Sequence, residues 1–300
     1  MATAAAGLTL KPKFEKSERF GETFTAAFHG NDGSVFLFQF IFSNAGFGDG
    51  KAACRLLSIP KGLSPSNQML RLDSDEWQYH SHSNTLDLKG CSLSTDSGGT
   101  IFEAKHDQTT AVLHTLSPLV PMKTPRVTPP DGFYEAEVLL KGAQASVTWS
   151  KGNRRKKFIG RTYFDHTRST ATMSSLANVI YRVRAMDEQT RLFQVVQGKR
   201  TRGWFFKSGD SAILPLASKH VQVTASDVAP KLVFTRPGFE AKVAAQHVLY
   251  RYKPVEAFAM MGKLASPIIG NPETVTFLAE VTYPDGRTVP ALMERTVVNP

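Results

Sequence analysis

Short β-rich segments separated by turns recur along most of the chain, and in some of them apolar and polar residues alternate with a period of two. Residues 22–28 alternate in this way, residues 29–33 supply a turn containing Gly and Asn, and residues 35–42 form a second apolar run. Short runs separated by such turns are typical of antiparallel hairpins. Helical periodicity is scarce, and residues 255–264 are the best candidate for a short helix. The pattern therefore predicts an all-β fold, as a sandwich or barrels, and argues against a parallel α/β fold.

A polar, charged segment at residues 150–154 separates two β-rich halves of the 300-residue chain. Segments of this composition are typical of domain boundaries. The second half ends in another hairpin, whose turn contains Pro284, Asp285 and Gly286. We expect two antiparallel β-barrels in tandem, one over residues 1–155 and one over residues 156–300. Closing each sheet into a barrel would leave no long exposed edge strand.

The apolar run at residues 35–42 is unusually rich in phenylalanine. Alternation along a strand places Phe36, Phe38, Phe40 and Phe42 on one face, and the opposite face is also largely apolar. The favoured interpretation is a core strand buried on both sides. The alternative is a wall of a ligand cavity, because barrels of this size often enclose a small apolar molecule.

Lys and Arg outnumber Asp and Glu by 36 to 26, which gives a net charge of +10. The densest basic run is Arg154, Arg155, Lys156 and Lys157. Neither zinc-finger spacing, an RNP-type motif nor a basic amphipathic helix accompanies this run, so nucleic-acid binding is not favoured. A polar turn, or a surface that makes transient contact with anionic membrane lipids, accounts for the run equally well.

The chain contains two cysteines, Cys54 and Cys91. They are too few for a four-ligand zinc site and do not indicate a disulfide scaffold. No apolar run approaches the roughly 20 residues that a membrane-spanning helix needs, and the first ten residues lack the pattern of a secretory signal. We expect a cytoplasmic protein in a reducing compartment, in contact with membranes only at their periphery. The sequence predicts no cofactor and indicates no oligomeric state.

Trp77 opens an aromatic and imidazole-containing segment that includes His80 and His82. On one strand the two histidines would point the same way, and such a pair can present two imidazoles to a metal ion. A third ligand would have to be one of the distant histidines, and the spacing selects none of His106, His114 and His166. Surface histidines are commoner than a metal site, so we assign no metal. Trp77, His80 and His82 are instead candidates for contact with a ligand, whose polar headgroup the imidazoles could hydrogen-bond.

The densest set of reactive side chains lies at residues 160–170 and includes Tyr163, Asp165 and His166. Desolvation in an apolar cavity disfavours the ionised form of a carboxyl group. Asp165 in such a place could act as a general acid toward an alkene or a carbonyl oxygen. Composition alone favours a plainer interpretation, in which Asp165 pairs with Arg161 or Arg168 and His166 braces the backbone. Serine-hydrolase, dinucleotide and P-loop motifs are absent from the sequence.

Three segments give the chain a family resemblance over nearly its whole length. They are the early strands at residues 21–24 and 36–44, the Tyr-Phe-Asp-His segment at residues 163–166, and the ending at residues 279–287 and 293–295. The chain resembles the two-domain lipocalin-like superfamily that contains carotenoid hydratases, AttH-type proteins and fungal survival-factor proteins that carry ceramide.

The resemblance implies two calycin-type barrels with an apolar ligand held in or between them. In the hydratase branch an acidic residue protonates an isoprenoid double bond before water adds. The resemblance carries that role to Asp165, with Tyr163 and His166 as neighbours that tune or orient it. The hydratase-type pattern tends to continue with a Trp-Gly pair just after Asp-His, whereas residues 167–169 here are Thr-Arg-Ser. This departure favours the binding-protein branch.

Two functions follow from the resemblance. The preferred one is carriage of a hydrophobic lipid or isoprenoid-like molecule in an apolar barrel cavity. The alternative is a cofactor-independent hydratase, isomerase or cyclase that acts on a polyene or isoprenoid with Asp165 as the general acid. A carrier would tolerate Asp165→Asn, whereas an enzyme would lose turnover and keep binding, because only stabilisation of the transition state would be lost.

Overall fold

The structure is a computed structural model that describes residues 8–44, 49–96, 98–187, 192–197, 201–205, 214–216, 218–237, 239–253 and 272–298. It confirms the all-β fold class, with two antiparallel sheets that follow one another along the chain. The helices within the described ranges are α1 (Met173–Leu176) and a 3-10 turn at Ser218–His220. The helix expected at residues 255–264 lies outside the described residues. No described helix is long and apolar enough to cross a membrane.

The first sheet curls into a nearly closed barrel. Its strands occupy β1 Gly21–Gly30, β2 Val35–Ser43, β3 Lys51–Ile59, β4 Ser66–Leu72, β5 Trp77–His80, β6 Thr85–Leu88, β7 Cys91–Asp96, β8 Gly99–His106, β9 Thr109–Thr115, β10 Met122–Lys123, β11 Tyr134–Lys151 and β12 Arg154–Ser169. The strand order is β4-β3-β2-β1-β12-β11-β9-β8-β7-β6-β5, and β10 pairs with β11. The predicted hairpin at residues 22–28 and 35–42 is therefore the β1–β2 pair.

The phenylalanine-rich face of β2 points into the interior of the first barrel. Phe36, Phe38, Phe40 and Phe42 are fully buried, and they share one apolar cluster with residues from strands around the whole sheet. In the β1–β2 register Phe40 lies opposite Phe24, which belongs to the same cluster. Because adjacent residues of a strand point to opposite faces, this register also fixes which side chains of β1 point outward.

Strands β1 and β12 are neighbours and run antiparallel. Near one end the Asn31 backbone N–H donates to the Ile159 carbonyl, at 2.9 Å. Further along, the Thr162 hydroxyl donates to the Ala27 carbonyl, at 3.2 Å. The strands come so close at Gly160 that a Cβ there would overlap the β1 backbone. This pairing joins residues far apart in the chain into one wall of the barrel.

A disulfide between Cys54 of β3 and Cys91 of β7 corrects the expectation from the sequence. Two cysteines in a long chain do not indicate a disulfide, because their spacing says nothing about whether the fold brings them together. Here the nearly closed sheet brings together β3 and β7, which lie near its opposite ends, and both cysteines belong to the interior cluster.

The second sheet forms a half-barrel. Its strands are β13 Val179–Ala185, β14 Leu192–Gln197, β15 Thr201–Phe205, β16 Leu214–Leu216, β17 Val221–Thr224, β18 Lys231–Arg236, β19 Phe239–Tyr252, β20 Glu273–Thr282 and β21 Thr288–Val297. The order is β16-β15-β14-β13-β21-β20-β19-β18-β17. Its concave core includes Val183, Phe277 and Met293. The predicted closing hairpin is the β20–β21 pair.

The chain divides into two compact units, Met1–Pro121 with Glu137–Arg168 and Met122–Ala136 with Ser169–Pro300. The expected boundary at residue 155 lies beside the tight turn between β11 and β12, and both of these strands belong to the first sheet. Gly152 in that turn has a φ of +55°, a conformation that glycine adopts without strain. The polar segment at residues 150–154 is thus the tip of a long hairpin.

Candidate functional site

Strand β12 distributes the Tyr163–Asp165–His166 cluster over both of its faces. Phe164 lies in the interior cluster of the first barrel, so His166 points inward as well. Tyr163 and Asp165 share the opposite, outward face, yet they are only 0% and 3% exposed. The sequence cluster is therefore two separate sites, one on each side of a single strand.

On the inward side, His166 is held between two carboxylates. Its Nε2 lies 2.7 Å from Oε1 of Glu22, and its Nδ1 lies 3.3 Å from Oε2 of Glu137. The imidazole also stacks on the ring of Phe24, with centroids 4.3 Å apart and planes within 9°. Strands β1, β11 and β12 thus meet at one imidazole.

Burial by itself lowers the pKa of His166, because it disfavours the charged ring. The hydrogen bonds and negative charges of Glu137 and Glu22 outweigh this effect and raise the pKa above its usual value. The arrangement is therefore a carboxylate–imidazole–carboxylate bridge in which both glutamates favour the protonated ring. It can hold three strands in register and can store a proton inside the barrel.

On the outward side, Asp165 lies beside Thr25. Phe24 of β1 and His166 of β12 stack on the inward side, so they are neighbours across these two antiparallel strands. The adjacent residues Thr25 and Asp165 point to the opposite, outward side, and they are neighbours there. Thr25 is 1% exposed. Asp165 is thus one of several polar side chains buried on this face of the sheet.

A chain of hydrogen bonds continues from Thr25 across the sheet. The Gln39 amide donates to the Thr25 hydroxyl at 3.3 Å, and Arg55 donates to the Gln39 carbonyl oxygen at 2.7 Å. Arg55 also donates through Nε to Asn67, at 2.8 Å, and is 4% exposed. We call Asp165, Tyr163, Thr25, Gln39 and Arg55 the outer polar row. It combines an acid, a phenol and a guanidinium group in a largely dehydrated setting.

The arginines that flank Asp165 in the sequence each donate a hydrogen bond to a backbone carbonyl elsewhere in the first unit. Arg168 donates to the carboxylate of Glu15, at 2.8 Å, and to the Lys13 carbonyl oxygen. Arg161 donates to the Gly142 carbonyl oxygen, at 2.7 Å. His166 connects neighbouring strands through the side chains of Glu22 and Glu137.

The phenylalanine candidates pack against other rings. Phe38 and Phe40 lie 6.2 and 6.0 Å from Phe102, and Phe36 lies 5.2 Å from Phe158, measured between ring centroids. Such tilted pairs at these distances are typical of aromatic cores. The geometry favours the core interpretation of this face over a ligand wall.

The segment at Trp77 does not present two imidazoles on one strand. Trp77 packs inward against Phe42, at 4.8 Å, and its indole N–H donates to the Gly50 carbonyl oxygen. His80 ends β5 on the exposed side, 3.9 Å from Asp87, and His82 lies exposed in the following turn. The two histidines therefore do not form the paired arrangement that a shared strand would have given.

The second unit also buries charge on the face opposite its core. Arg184 is fully buried, and it donates to Glu294 at 2.6 Å. Arg182, two residues earlier on the same face of β13, donates to the Tyr134 hydroxyl at 2.8 Å. Tyr181 and Val183, which alternate with them, belong to the core. These polar groups add a second buried cluster that the sequence did not single out.

Glu22, Glu137, Gln39 and Arg55 are the main site residues that sequence analysis missed. Glu22 and Glu137 lie 144 and 29 residues from His166 along the chain. Of these four residues, Gln39 could have been identified from the sequence, because it is a polar residue within an apolar strand. Such a residue is expected to hydrogen-bond when it is buried.

Comparison with solved structures defines the class of fold. A protein of Nitrosomonas europaea named as an AttH matches with a TM-score of 0.65 and 12% identity, over 99% of this chain and 100% of that chain. Kievitone hydratase from Nectria haematococca matches with a TM-score of 0.60 and 8% identity, over 93% of this chain and 88% of that chain. No family model and no curated protein matches the chain. The chain therefore shares its lipocalin-like β fold with these two structures.

Proposed function

We propose that the protein is a hydratase-type enzyme that adds water to a carbon–carbon double bond of a hydrophobic, isoprenoid-like or polyene substrate. The observation that supports this most directly is the buried outer polar row, in which Asp165 and Tyr163 share one face of β12. Kievitone hydratase has the same fold, and its name states a reaction of this type.

Asp165 is the general acid in this proposal. Its carboxyl group gives a proton to one alkene carbon and leaves a carbocation at the other. A water molecule then adds through its oxygen, and the proton that it loses returns to the carboxylate. Atoms and charge balance without a cofactor. A dehydrated setting suits this chemistry, because bulk water would compete for the proton and for the cation.

Tyr163 and the hydrogen-bonded chain beyond Thr25 orient the substrate and the water in this mechanism. Gln39 and Arg55 are held by each other, so their positions are set before a substrate arrives. His166 acts through the backbone as a positioning residue. It fixes β12 against β1 and β11 from the inside of the barrel, and so fixes where Asp165 emerges.

Incubation in H₂¹⁸O tests the proposal. Purified protein is mixed with kievitone, a linear isoprenoid alcohol or a carotenoid, and the products are analysed by mass spectrometry. We expect one of these substrates to gain one ¹⁸O-labelled hydroxyl group, and heat-denatured protein to give none. A product of unchanged mass and altered retention would instead identify an isomerase or a cyclase.

Carriage of a lipid is the competing function, and the same incubations together with an organic extract of the protein distinguish a carrier from an enzyme. A carrier would return every compound unchanged, with one class of molecule bound in near-stoichiometric amount in an organic extract of the purified protein. The ring-to-ring packing of Phe36, Phe38 and Phe40 favours the enzyme, because it fills the interior face that a carrier would use for its ligand.

A further inference from the structure

The disulfide of the first barrel has a histidine beside it. Nε2 of His106 lies 3.7 Å from Sγ of Cys54 and 3.9 Å from Sγ of Cys91. All three residues are buried, with exposures of 0% for Cys54, 3% for Cys91 and 7% for His106. We call these three residues the sulfur–imidazole cluster. It is separate from the outer polar row and from the His166 bridge.

The three residues lie on strands from two different parts of the first sheet. Cys54 is on β3, whereas Cys91 and His106 are on the adjacent strands β7 and β8. In the order of the sheet, β3 lies near one end and β7 and β8 lie toward the other, so the cluster joins two distant parts of the curled sheet. A covalent bond or a metal ion that connects the two sulfur atoms therefore also connects β3 to β7.

The donor atoms match those of a thiophilic metal site. Zinc binds thiolate sulfur at about 2.3 Å and imidazole nitrogen at about 2.0–2.1 Å, so tetrahedral ligands of these two types lie roughly 3.6 Å apart. The two sulfur–nitrogen distances in the cluster are close to this value. The ligand atoms already lie within 4.8 Å of one another. Only the two sulfur atoms have to move apart once their bond is broken.

We propose that the reduced form of the sulfur–imidazole cluster binds one zinc ion through Cys54, Cys91 and His106. The charges favour a divalent ion, because two thiolates and a neutral imidazole carry a total charge of −2 and the complex with Zn²⁺ is neutral. A neutral complex has the smallest cost of burial in an apolar core. Three protein ligands leave the fourth tetrahedral position for a water molecule.

The chemistry needs a reductant, which a phosphine supplies in the test and a dithiol supplies in a reducing compartment. The disulfide accepts two electrons and two protons and becomes two thiols. The phosphine gives up the two electrons and takes an oxygen atom from water. Zinc then displaces the two thiol protons. The metal replaces the disulfide as the connection between β3 and the β7–β8 pair, so the barrel stays joined under reducing conditions.

The experiment compares zinc binding by the oxidised and the reduced protein. The full chain is reduced with a phosphine, freed of reductant without oxygen, and titrated with Zn²⁺ against a chromophoric chelator. Cobalt replaces zinc in a parallel sample to report thiolate ligation by its charge-transfer absorption. We expect one zinc per reduced chain, none in the oxidised chain, and a higher unfolding temperature of the reduced protein when zinc is present.

His106→Ala tests the third ligand, and His114→Ala is its matched control on the outward side of β9. We expect His106→Ala to weaken zinc binding at least about tenfold and His114→Ala to leave it unchanged. The oxidised wild-type protein is a second control that keeps the native fold. The proposal is overturned by a native disulfide that resists the phosphine, by a reduced protein that takes up no zinc, or by equal affinities of the two histidine variants.

Discussion

The imidazole of His166 shows how a single buried group can connect distant parts of a chain. It interacts with Glu22 of β1 and Glu137 of β11. Glu22 is 1% exposed, so its charge has little access to water. Removal of the imidazolium would leave two carboxylates close together in a poorly solvated place. Breaking a buried pair in this way destabilises proteins by roughly 3–5 kcal/mol.

The raised pKa of His166 makes this contribution depend on pH. A group whose pKa is higher in the folded state stabilises the fold fully below its unfolded pKa of about 6.5. That stabilisation is lost as the pH rises through the raised, folded-state pKa. We therefore expect His166→Gln to lower the free energy of unfolding most near pH 6, and less at each higher pH. Urea titrations of wild type and variant over this range measure the difference.

His80→Gln is the control for this prediction, because His80 is exposed on β5. It should change the free energy of unfolding by no more than about 0.5 kcal/mol at any pH. A His166→Gln variant whose loss of stability is the same at all pH values would contradict the charged bridge.

Sequence alone located the cluster at residues 163–166 but could not divide it correctly. Alternation along a strand does imply that Asp165 and His166 point in opposite directions. What it does not say is which face is inside the barrel, because Tyr163, Phe164, Asp165 and His166 are all buried. The partners of His166 lie on other strands, and only the pairing of β1, β11 and β12 selects them.

At the scale of elements, β2 is the centre of the first barrel's core. Phe38 is fully buried, and it lies opposite Ala26 of β1 and Leu56 of β3. A small residue on one side makes room for its ring. The interior is thus filled by complementary sizes across neighbouring strands.

Phe38→Ala should lower the free energy of unfolding by about 3–5 kcal/mol, because it removes a ring from a close-packed core. The exposed Ile101 of β8 provides the control, and Ile101→Ala should cost no more than about 1 kcal/mol. Urea unfolding followed by tryptophan fluorescence measures both. If Phe38→Ala left stability unchanged and altered ligand binding, the face would be a cavity wall instead.

The tip of the β11–β12 hairpin carries the densest positive charge of the sequence. Arg154, Arg155, Lys156 and Lys157 are all exposed. Such a tip can approach a negatively charged surface without any change in the sheet. We propose that it makes the transient contact with anionic membrane lipids that the charge of the chain suggests.

Vesicle sedimentation tests this contact. A basic residue near an anionic membrane contributes about 1 kcal/mol, so Lys156→Ser with Lys157→Ser should lower partitioning onto phosphatidylserine vesicles roughly 30-fold. Added salt should weaken the binding of the wild type. Lys89→Ser with Lys105→Ser is the control, since both of these lysines pair with glutamates on the same unit. Equal binding by the two double variants would argue against the hairpin tip.

Hairpins were the elements that sequence predicted best. The runs at residues 22–28 and 35–42 became β1 and β2, because two short β-forming runs on either side of a Gly- and Asn-containing turn are typical of a hairpin. The long β11–β12 hairpin was harder to predict. Its polar turn at Gly152 has the composition of a linker between domains. Only the pairing of β11 and β12 in one sheet shows that this segment is a hairpin turn.

At the scale of the whole molecule, the fold is shared with proteins of 12% and 8% identity. Alternating patterns and turns suffice to specify such a fold, whereas the chemistry depends on a few side chains that the fold brings together. The disulfide shows the limit of the sequence in the same way. Cys54 and Cys91 become neighbours only because the first sheet closes on itself.

The proposed hydration depends on proton donation from Asp165 to the substrate, and turnover of the Asp165→Asn variant measures that step. Asparagine keeps the shape of the side chain but cannot act as the acid. We expect kcat for hydration to fall roughly 10²–10⁴-fold while substrate binding and the melting temperature stay close to the wild type. Asp285→Asn, in the exposed turn between β20 and β21, should keep full activity. Undiminished turnover of Asp165→Asn would rule out Asp165 as the general acid.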